Sequence, residues 1–367
     1  MRIGIDCFRL SSSRSTGKEV LIRNLVEATL LCDQDNEYIL FGRRSDLLPV
    51  GARVYHRIGP DIGSYTMWNQ MVLPALVSGT KCDIVVYMES MIPFVSRGCR
   101  VVVIYDLSFL KVQGEFDQRT RRIFKSTIAG TVRRASAIIA ISESTKRDVV
   151  DTLDVPSSKV HVIRLGFSSA FSEKKDLNDE RREALFRRLG IHDRYMLMIG
   201  STHAHKNIGR LIEAYHIVAS RPGMSSLQLV VAGMITPNTQ LNIEDEKKRG
   251  VILTGYLPDD ELYTITLHAQ LFCLPSLYEG FGIPILEAMS VGVPVIGSNV
   301  SSIPEVIGEA GLLFNPYDPA DIAAKAILAL GDGPLRKRLI EAGRTHLTSF
   351  TWRGAAETFL QILRQLS

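Results

Sequence analysis

Short apolar runs alternate with amphipathic stretches along the whole chain, and a polar segment with helical spacing follows each run. In the first half, the runs that predict β-strands are 2–6, 38–41, 84–86, 101–105 and 137–141. In the second half they are 195–199, 227–232, 251–254, 270–274 and 294–296. This alternation of strand and helix is typical of a parallel, doubly wound α/β sheet.

The alternation occurs as two series, separated by a polar, charged stretch at 168–188. We interpret this stretch as a linker that runs into a new helix. A length of 367 residues fits two domains, so we expect Rossmann-like domains at 1–170 and 171–350. Because open parallel sheets bind ligands at the carboxyl ends of their strands, we expect the functional site in a cleft between the two facing domains.

The composition is that of an ordinary globular protein, with 46% hydrophobic and 22% charged residues. No apolar run reaches the roughly 18 residues of a membrane span, and the charged beginning MRIGID is not typical of a signal peptide. The five cysteines are scattered without a CxxC pair, which favours a reducing compartment over a disulfide scaffold. We therefore expect a cytoplasmic location.

The net charge of +4 lies in the first half of the chain: residues 1–180 hold 25 basic and 21 acidic side chains, and the remainder holds 18 of each. So small an excess argues against nucleic-acid binding. A predicted helix at 118–134 is either a solvated surface or a peripheral contact with the inner face of an anionic membrane. Its basic residues are Arg119, Arg121, Arg122, Lys125, Arg133 and Arg134.

Two common nucleotide-binding motifs are missing. No GxGxxG follows the first predicted strand, and no P-loop is completed at Gly17, which argues against NAD-dependent dehydrogenases and P-loop kinases. Gly17 does lie where a loop turns into a predicted helix, a place where backbone N–H groups bind anions. The DxD pattern of Asp33 and Asp35 suits a helix-to-strand turn better than a metal site. We expect no metal and no other cofactor.

The segment 275–299, PSLYEGFGIPILEAMSVGVPVIGSN, is the most informative part of the sequence. Gly280 and Gly282, on either side of Phe281, allow the backbone to approach a ligand closely. Pro284 suits the first turn of a helix predicted at 284–291, and Gly292 suits its end. The positive N-terminal end of this helix favours a diphosphate.

Two carboxylates accompany this helix, Glu279 in the preceding loop and Glu287 in the predicted first turn. Carboxylates beside a diphosphate would repel it unless they accept hydrogen bonds from hydroxyl groups. A sugar nucleotide supplies hydroxyl groups together with a diphosphate. The segment therefore predicts a sugar-nucleotide site.

Glu279 and Glu287, with GFGIPIL between them, resemble the E-x7-E signature of retaining, family 4-type glycosyltransferases, which have the GT-B fold. The resemblance covers most of the chain and is closest to mannosyltransferase-like members. It implies that a C-terminal helix at about 351–367 crosses back to the first, acceptor-binding domain, whereas 171–350 binds the nucleotide sugar. Further matching segments are 142–146 (SESTK), 200–207 (GSTHAHKN), 254–257 (TGYL), 299–305 (NVSSIPE) and 350–352 (FTW).

The resemblance implies a role for each matching residue. Glu279 is expected to contact the donor sugar, Glu287 the ribose, and Lys206 the leaving diphosphate, whose charge it neutralises. Asp106, the third expected catalytic residue after Glu279 and Lys206, either orients the acceptor hydroxyl or caps a helix. The remaining donor contacts are expected from Gly17, Ser201, His205, Tyr256, Leu257, Gly280, Phe281 and Gly282.

Two positions depart from the family pattern. His205 stands where the family often has arginine, and a neutral histidine does not replace a bidentate arginine. Either His205 is protonated beside the diphosphate, or Arg14 or Lys18 compensates. Tyr105 stands where the family often has histidine before Asp106; its hydroxyl can bind a sugar hydroxyl but is a poor base at neutral pH.

The resemblance thus implies a metal-independent, retaining transfer of a hexose from GDP-mannose, with a UDP-hexose as the second choice of donor. The expected acceptor is a saccharide, free or linked to a polyprenyl diphosphate, in bacterial surface polysaccharide or lipopolysaccharide synthesis. The alternatives are a transferase for UDP-glucose, UDP-GlcNAc or UDP-galactose, a sugar-nucleotide epimerase, a glycogen- or sucrose-type synthase, and a degenerate, non-catalytic partner protein.

Overall fold

The strands predicted from the hydrophobic pattern assemble into two parallel sheets, each in its own structural unit. A computed structural model describes residues 1–11, 17–112, 117–167, 171, 173–192, 194–236 and 242–366. The first unit comprises Met1–Leu110, Phe116–Gly166 and Phe350–Ser367, and the second comprises Lys111–Glu115 and Phe167–Ser349. The expected fold class, two Rossmann-like parallel-sheet domains, is confirmed.

The described part of the first unit contains a sheet of seven parallel strands. They are β1 (Arg2–Asp6), β2 (Glu37–Gly42), β3 (Val54–Ile58), β4 (Ile84–Tyr87), β5 (Cys99–Ile104), β6 (Ala137–Ala140) and β7 (Val160–Val162). Their order is β3-β2-β1-β4-β5-β6-β7. The direction of winding reverses between β1 and β4, which creates a crevice of the kind that binds ligands in open α/β sheets.

The helices of the first unit follow its strands, as right-handed βαβ connections require. They are α1 (Gly17–Cys32), α2 (Tyr65–Met67), α3 (Leu73–Val77), α4 (Ser108–Lys111), α5 (Gln118–Arg134) and α6 (Glu143–Leu153). A π-helical turn at Trp68–Val72 joins α2 to α3. The central strands are buried and contain mostly apolar side chains, so this sheet carries helices on both faces.

The described part of the second unit contains a sheet of six parallel strands. They are β8 (Arg194–Ile199), β9 (Leu227–Ala232), β10 (Val251–Gly255), β11 (Leu271–Leu274), β12 (Val295–Ser298) and β13 (Gly311–Phe314). Their order is β10-β9-β8-β11-β12-β13, with the reversal between β8 and β11. Loops that follow β8 and β11 therefore meet at the carboxyl edge of the sheet.

The helices of the second unit surround this sheet. They are α7 (Asp179–Leu189), α8 (Ile208–Ala219), α9 (Ile243–Lys248), α10 (Asp259–Leu267), α11 (Ile283–Ser290), α12 (Ile303–Ile307), α13 (Pro319–Gly331) and α14 (Gly333–Leu347). The predicted helix at 284–291 corresponds to α11. The polar stretch at 168–188 does run into a new helix, α7, although its residues 168–170 and 172 lie outside the described part.

The last helix, α15 (Trp352–Arg364), packs against α1 of the first unit. Its apolar side chains, including Phe359, are buried there. A Cβ atom at Gly166 would lie 2.3 Å from the backbone nitrogen of Trp352, so only glycine allows this close approach. The two tryptophans of the chain, Trp68 and Trp352, both lie in the first unit.

The apolar pattern does not predict three of the strands, β3, β7 and β13. All three lie at sheet edges. In β3 the polar His56 and Arg57 interrupt the apolar run, because an edge strand is half solvated. In β7 only three residues pair with the neighbouring strand. Edge position therefore weakened the pattern on which the prediction depended.

The DxD pattern is a helix-to-strand turn, as the sequence indicates. Asp33 accepts hydrogen bonds from the Tyr38 hydroxyl, from Nδ2 of Asn36 at 2.6 Å and from the backbone N–H of Asp35 at 3.1 Å. Among the described residues, no three His, Cys, Asp or Glu side chains are grouped to hold a metal ion. Within the same residues, none of the helices has the length and apolar character needed to cross a bilayer.

A buried carboxyl at the end of β1 makes the stability of the first unit depend on pH. Burial raises the pKa of Asp6 from 3.8 to about 7, against hydrogen bonds from Tyr65 and Phe8 that lower it. The folded state binds the proton of Asp6 more tightly than the unfolded state does, so protonation of Asp6 stabilises the folded state. This stabilisation is complete below pH 3.8 and is lost as the pH rises through about 7. Above pH 7 the first unit lacks about 4 kcal/mol of this stabilisation.

We predict that Asp6→Asn removes this decline between pH 4 and pH 7.5. The measurement is denaturant unfolding at several pH values, followed by tryptophan fluorescence, which reports on the first unit alone. Equal pH dependence of the unfolding free energy in Asp6→Asn and the wild type would contradict the raised pKa.

Candidate functional site

The largest group of predicted site residues lies at the carboxyl edge of the second sheet. Lys206 is in a 3₁₀ turn, Ala204–Lys206, in the loop after β8. Glu279 is in the loop after β11, which leads into α11. Since β8 and β11 are neighbours at the reversal of strand order, these two loops are brought together by the topology of the sheet.

Lys206 and Glu279 form an ion pair, with the lysine Nζ 2.6 Å from Oε1 of the glutamate. Both side chains are mostly buried, 17% and 14% exposed. The hydroxyl of Ser276 donates a second hydrogen bond of 2.6 Å to the same Oε1. Two donors thus fix one carboxylate oxygen of Glu279, and the other oxygen has no partner among the described residues.

Two serines fix the backbone around Glu279. The hydroxyl of Ser301 accepts from the Glu279 N–H at 3.1 Å and donates to the Glu279 carbonyl at 2.6 Å. The hydroxyl of Ser302 donates to the carbonyls of Glu279 and Phe281, both at 2.9 Å. The loop after β12 therefore holds the loop after β11 in place. The loop after β8 is tied in as well, because Leu277 N–H donates to the His205 carbonyl at 2.7 Å.

Asn207 holds in place the loop after β8, which carries Lys206. It has a left-handed backbone conformation, with φ of 58°, which asparagine tolerates better than most residues. Its buried side-chain amide donates to the carbonyls of Pro275 at 3.1 Å and Pro316 at 2.7 Å. Arg210 donates to its Oδ1 at 2.9 Å. A single side chain thus joins the loops that follow β8, β11 and β13.

The N-terminus of α11 follows Glu279 in the chain, because the helix begins at Ile283. Gly282 caps it with φ of 108°, and a Cβ atom there would lie 3.2 Å from Cδ1 of Ile285. The positive φ therefore favours glycine at this position. Pro284 lies in the first turn, as predicted. The first N–H groups of a helix have no intrahelical acceptor and carry partial positive charge, which suits an anion.

Glu287 lies one residue further into α11 than the sequence predicts. The helix begins at Ile283, so Glu287 is its fifth residue and not part of its first turn. Burial raises its pKa to about 7, while Lys174 lowers the pKa and Asp259 raises it. Lys174 and Asp259 form an ion pair with each other, with Nζ of Lys174 3.4 Å from Oδ2 of Asp259. Among the described residues, no donor is hydrogen-bonded to the Glu287 carboxyl.

Further predicted residues of the second unit lie in the loops that follow β8 and β10. Tyr256, just after β10, is 75% exposed, whereas Leu257 is buried. The ring of His205 stacks on that of His203, with centroids 5.8 Å apart. Ser201 is half-buried in the same loop. The contacts of these residues with a donor remain predictions.

Asp106 and Gly17 belong to the first unit and are not part of this group. Oδ1 of Asp106 accepts from the backbone N–H of Ser108 at 2.9 Å and from its hydroxyl at 2.6 Å. This is the helix-capping arrangement that the sequence left open. Gly17 is exposed at the start of α1. The preceding residues 12–16, Arg14 among them, lie outside the described part of the chain.

Sequence reasoning missed the residues that position the pair. Ser276 lies in the segment 275–299, and Ser301 and Ser302 lie in the matching segment NVSSIPE. Because serine is common in loops, residue type alone predicts no positioning role for them. Asn207 lies in the GSTHAHKN segment, and the sequence predicts no role for it either. Its partner Pro316 is 109 residues away, and such contacts follow only from the fold.

Comparisons with known proteins identify the family of the chain. Residues 181–346 match the glycosyl transferases group 1, and residues 18–170 match glycosyltransferase family 4. The chain belongs to the group 1 glycosyl transferases. The two matches together cover most of both units.

Two relatives from Escherichia coli are mannosyltransferases. The serotype-specific mannosyltransferase WbdA is 32% identical over 254 residues, which are 67% of this chain and 30% of that protein. The chain thus spans less than a third of the length of WbdA. The O-antigen chain mannosyltransferase B is 29% identical over 256 residues, which are 69% of this chain and 66% of that protein.

Solved structures show the same fold. Sucrose-phosphate synthase from Thermosynechococcus elongatus is 18% identical with a TM-score of 0.76, and the alignment covers 100% of this chain and 98% of that one. WaaG, a glycosyltransferase involved in lipopolysaccharide biosynthesis, is 17% identical with a TM-score of 0.71, over 98% of this chain and 99% of that one. These likenesses place the group 1 transferase described here in the GT-B fold class.

Proposed function

We propose that this glycosyltransferase moves mannose from GDP-mannose to a saccharide, free or linked to a polyprenyl diphosphate, in the synthesis of a bacterial surface polysaccharide such as lipopolysaccharide. The observation that carries the proposal is the Lys206–Glu279 pair beside the N-terminus of α11. The two mannosyltransferase relatives support the choice of sugar. A UDP-hexose is the alternative donor.

Each part of the site has a task in this proposal. The diphosphate binds at the N-terminus of α11 and accepts from the N–H groups of Phe281 and Gly282. Lys206 leaves Glu279 and pairs with the diphosphate. The freed carboxylate of Glu279, still held by Ser276, accepts from hydroxyls of the mannose. Glu287 accepts from the ribose diol. Ser201, His205, Gly280 and the backbone of Tyr256 and Leu257 complete the second unit's part of the donor site.

The reaction in this proposal breaks the bond between C1 of mannose and the diphosphate oxygen, and the electron pair leaves with GDP. Lys206 and the helix N-terminus stabilise the charge that develops on the departing group, without a metal ion. The acceptor hydroxyl attacks C1 from the same face and passes its proton to the diphosphate, so the configuration is retained. A double displacement through an enzyme carboxylate is the competing route. Asp106 orients the acceptor hydroxyl.

The choice of guanine rests on the acidic residues that follow the predicted base contacts. Asp259 and Asp260 lie in the first turn of α10, just after Tyr256 and Leu257. A carboxylate can accept from both N1–H and the 2-amino group of guanine, whereas uracil offers a single N–H donor. Asp259 also belongs to the first turn of α10, where acidic residues stabilise a helix in any case.

We predict that Lys206→Ala and Glu279→Ala each lower kcat for mannosyl transfer about 100-fold to 1,000-fold, because each removes charge placed for the departing diphosphate or the sugar. The assay follows GDP release from GDP-mannose with octyl α-mannopyranoside as acceptor. Lys248→Ala is the matched control, since this exposed lysine pairs only with Asp245 at the surface. Near wild-type rates in both site variants would remove the pair from the mechanism.

We predict that GDP-mannose binds more tightly as the pH rises from 6 to 8, because the ionised Glu287 accepts from the ribose diol and its pKa without ligand is about 7. Glu287→Gln should bind GDP-mannose more weakly and with little dependence on pH. Calorimetric titration measures both, and Glu244→Gln on the exposed face of α9 is the control. Parallel pH curves for the wild type and Glu287→Gln would contradict this role.

The proposal includes peripheral attachment of α5 to an anionic membrane. Ile123 and Phe124 are 55% and 39% exposed on this helix. Arg119, Arg122 and Lys125 are exposed beside them. Arg121 is engaged by the Leu110 carbonyl at 2.5 Å and is therefore a weaker contributor. Exposed apolar side chains flanked by basic ones are typical of helices that lie on a membrane surface.

We predict that the alanine triple variant of Arg119, Arg122 and Lys125 loses binding to vesicles of phosphatidylglycerol and phosphatidylethanolamine in co-sedimentation. The triple variant of Lys247, Lys248 and Arg249 removes the same charge from an exposed segment of the second unit and should bind like the wild type. Equal loss in both variants, or none in the first, would contradict attachment through α5 and leave the transferase proposal intact.

A further inference from the structure

Two serines in the loop after β12, Ser301 and Ser302, bind the backbone of another loop. Ser301 accepts from the Glu279 N–H and donates to the Glu279 carbonyl. Ser302 donates to the carbonyls of Glu279 and Phe281. The bonded residues lie 21 to 23 positions earlier in the chain. The donor site as proposed assigns no task to either hydroxyl.

Ser301 has a backbone conformation that serine does not favour. Its φ is 59°, in the left-handed region, which glycine adopts freely and in which other residues are strained. Such strain persists only where the surrounding structure imposes it, and it is found most often at binding and catalytic sites. At Ser301 it accompanies two hydrogen bonds to the peptide groups of Glu279, at 3.1 Å and 2.6 Å. The strain is therefore linked to the position of Glu279.

Ser302 does not perform the usual task of a serine in its position. It directly precedes α12, and Glu305 follows three residues later, which is the sequence pattern of a capping box. A capping serine would stabilise the helix, yet the Ser302 side chain forms no capping hydrogen bond. Its buried hydroxyl is bonded to the loop of Glu279 instead. Both serines thus give up local stability for contacts with that loop.

These hydrogen bonds fix the direction of two peptide groups. In a trans peptide group, the carbonyl of one residue and the N–H of the next point in opposite directions. The carbonyls of Glu279 and Phe281 point to the serine hydroxyls. The N–H groups of Gly280 and Gly282 therefore point away from the loop after β12.

The peptide group between Ser276 and Leu277 shows the same arrangement with a partner on each side. The Ser276 carbonyl accepts from the hydroxyl of Ser298, at the end of β12, at 2.6 Å. The Leu277 N–H donates to the His205 carbonyl at 2.7 Å, in the loop that carries Lys206. In this peptide group the carbonyl thus faces β12, and the N–H faces the loop after β8.

We propose that Ser301 and Ser302 are positioning residues of the transfer reaction. Ser301 holds the backbone from which the Glu279 carboxylate reaches the donor sugar. Ser302 fixes the direction of the Gly282 N–H, which binds the diphosphate. Each serine acts through the loop of Glu279 and not by contact with the reacting atoms. The inference rests on the proposed function, which assigns the sugar to Glu279 and the diphosphate to the N-terminus of α11.

Ser301→Gly separates a positioning role from a structural one, because it removes the hydroxyl and the strain together. The lost hydrogen bonds and the relieved strain offset each other, so the calorimetric unfolding midpoint of the full chain should stay within about 3 °C of the wild type. The kcat for transfer from GDP-mannose should fall about 10-fold to 100-fold, because a small displacement of a reacting group is enough for such a loss. The Kd of GDP should stay within about twofold, since Ser302 still holds the Gly282 peptide group.

Ser302→Ala should act on the diphosphate. We expect it to weaken GDP binding about fivefold in calorimetric titration, because the Gly282 N–H loses its fixed direction. The helix α12 loses no capping hydrogen bond in this variant. A Kd for GDP equal to that of the wild type would overturn the role of Ser302.

Asp154→Gly is the matched control for Ser301→Gly. Asp154 ends α6 in the first unit with φ of 52°, so the control relieves the same kind of strain away from the second sheet. It should leave kcat unchanged. A kcat near that of the wild type in Ser301→Gly would overturn the role of Ser301. So would a midpoint lowered by more than about 3 °C together with the lost activity, because a structural role predicts that combination.

Amide hydrogen exchange without ligand, read by mass spectrometry, separates this inference from the proposed function. Because Ser301 accepts from the Glu279 N–H, exchange in peptides that contain Glu279 should be at least about fivefold faster in Ser301→Gly and unchanged in Asp154→Gly. If exchange is equal in Ser301→Gly and the wild type while the wild type transfers mannose, the positioning is wrong and the transferase proposal stands. If exchange is faster and the wild type transfers nothing from GDP-mannose, the proposed function is wrong and the hold of Ser301 on Glu279 stands.

Discussion

The contact on which the candidate site depends is the 2.6 Å ion pair between Lys206 and Glu279. It joins the loops that follow two neighbouring strands at the reversal of strand order, and it places both charges beside the N-terminus of α11. Without a ligand, each charge neutralises the other in a mostly buried setting, where an unpaired charge would be costly. A diphosphate can take the place of Glu279 as the partner of Lys206. In the proposed function this exchange frees the carboxylate for the sugar.

Each unit contains a carboxyl whose pKa is raised by burial, at the end of β1 in the first unit and in α11 in the second. Asp6 in the first and Glu287 in the second each have a pKa raised to about 7, and burial is the main cause in both. Their surroundings differ in one respect. Asp6 uses its oxygens on Tyr65 and Phe8, whereas no described residue is hydrogen-bonded to the carboxyl of Glu287. The first is therefore suited to positioning a neighbour, and the second to receiving a ligand.

Much of the fold and part of the site follow from the sequence. The period of the apolar runs predicts the central strands because these are buried on both faces, and Gly282 and Pro284 predict the start of α11 to within one residue. The edge strands β3 and β7 escape the prediction because their pattern is broken or short. The bracing of Glu279 by Ser301 and Ser302, and of the lysine loop by Asn207, depends on residues distant along the chain. Only the folded structure brings them together.

The most direct test of the account is amide hydrogen exchange of the full chain with and without GDP-mannose, read by mass spectrometry. The account predicts that GDP-mannose slows exchange in the peptides that contain Phe281 and Gly282 and in those of the loop at 200–207, because their N–H groups or charges meet the diphosphate. Unchanged exchange in both segments at saturating GDP-mannose would contradict the claim that this edge of the second sheet is the donor site.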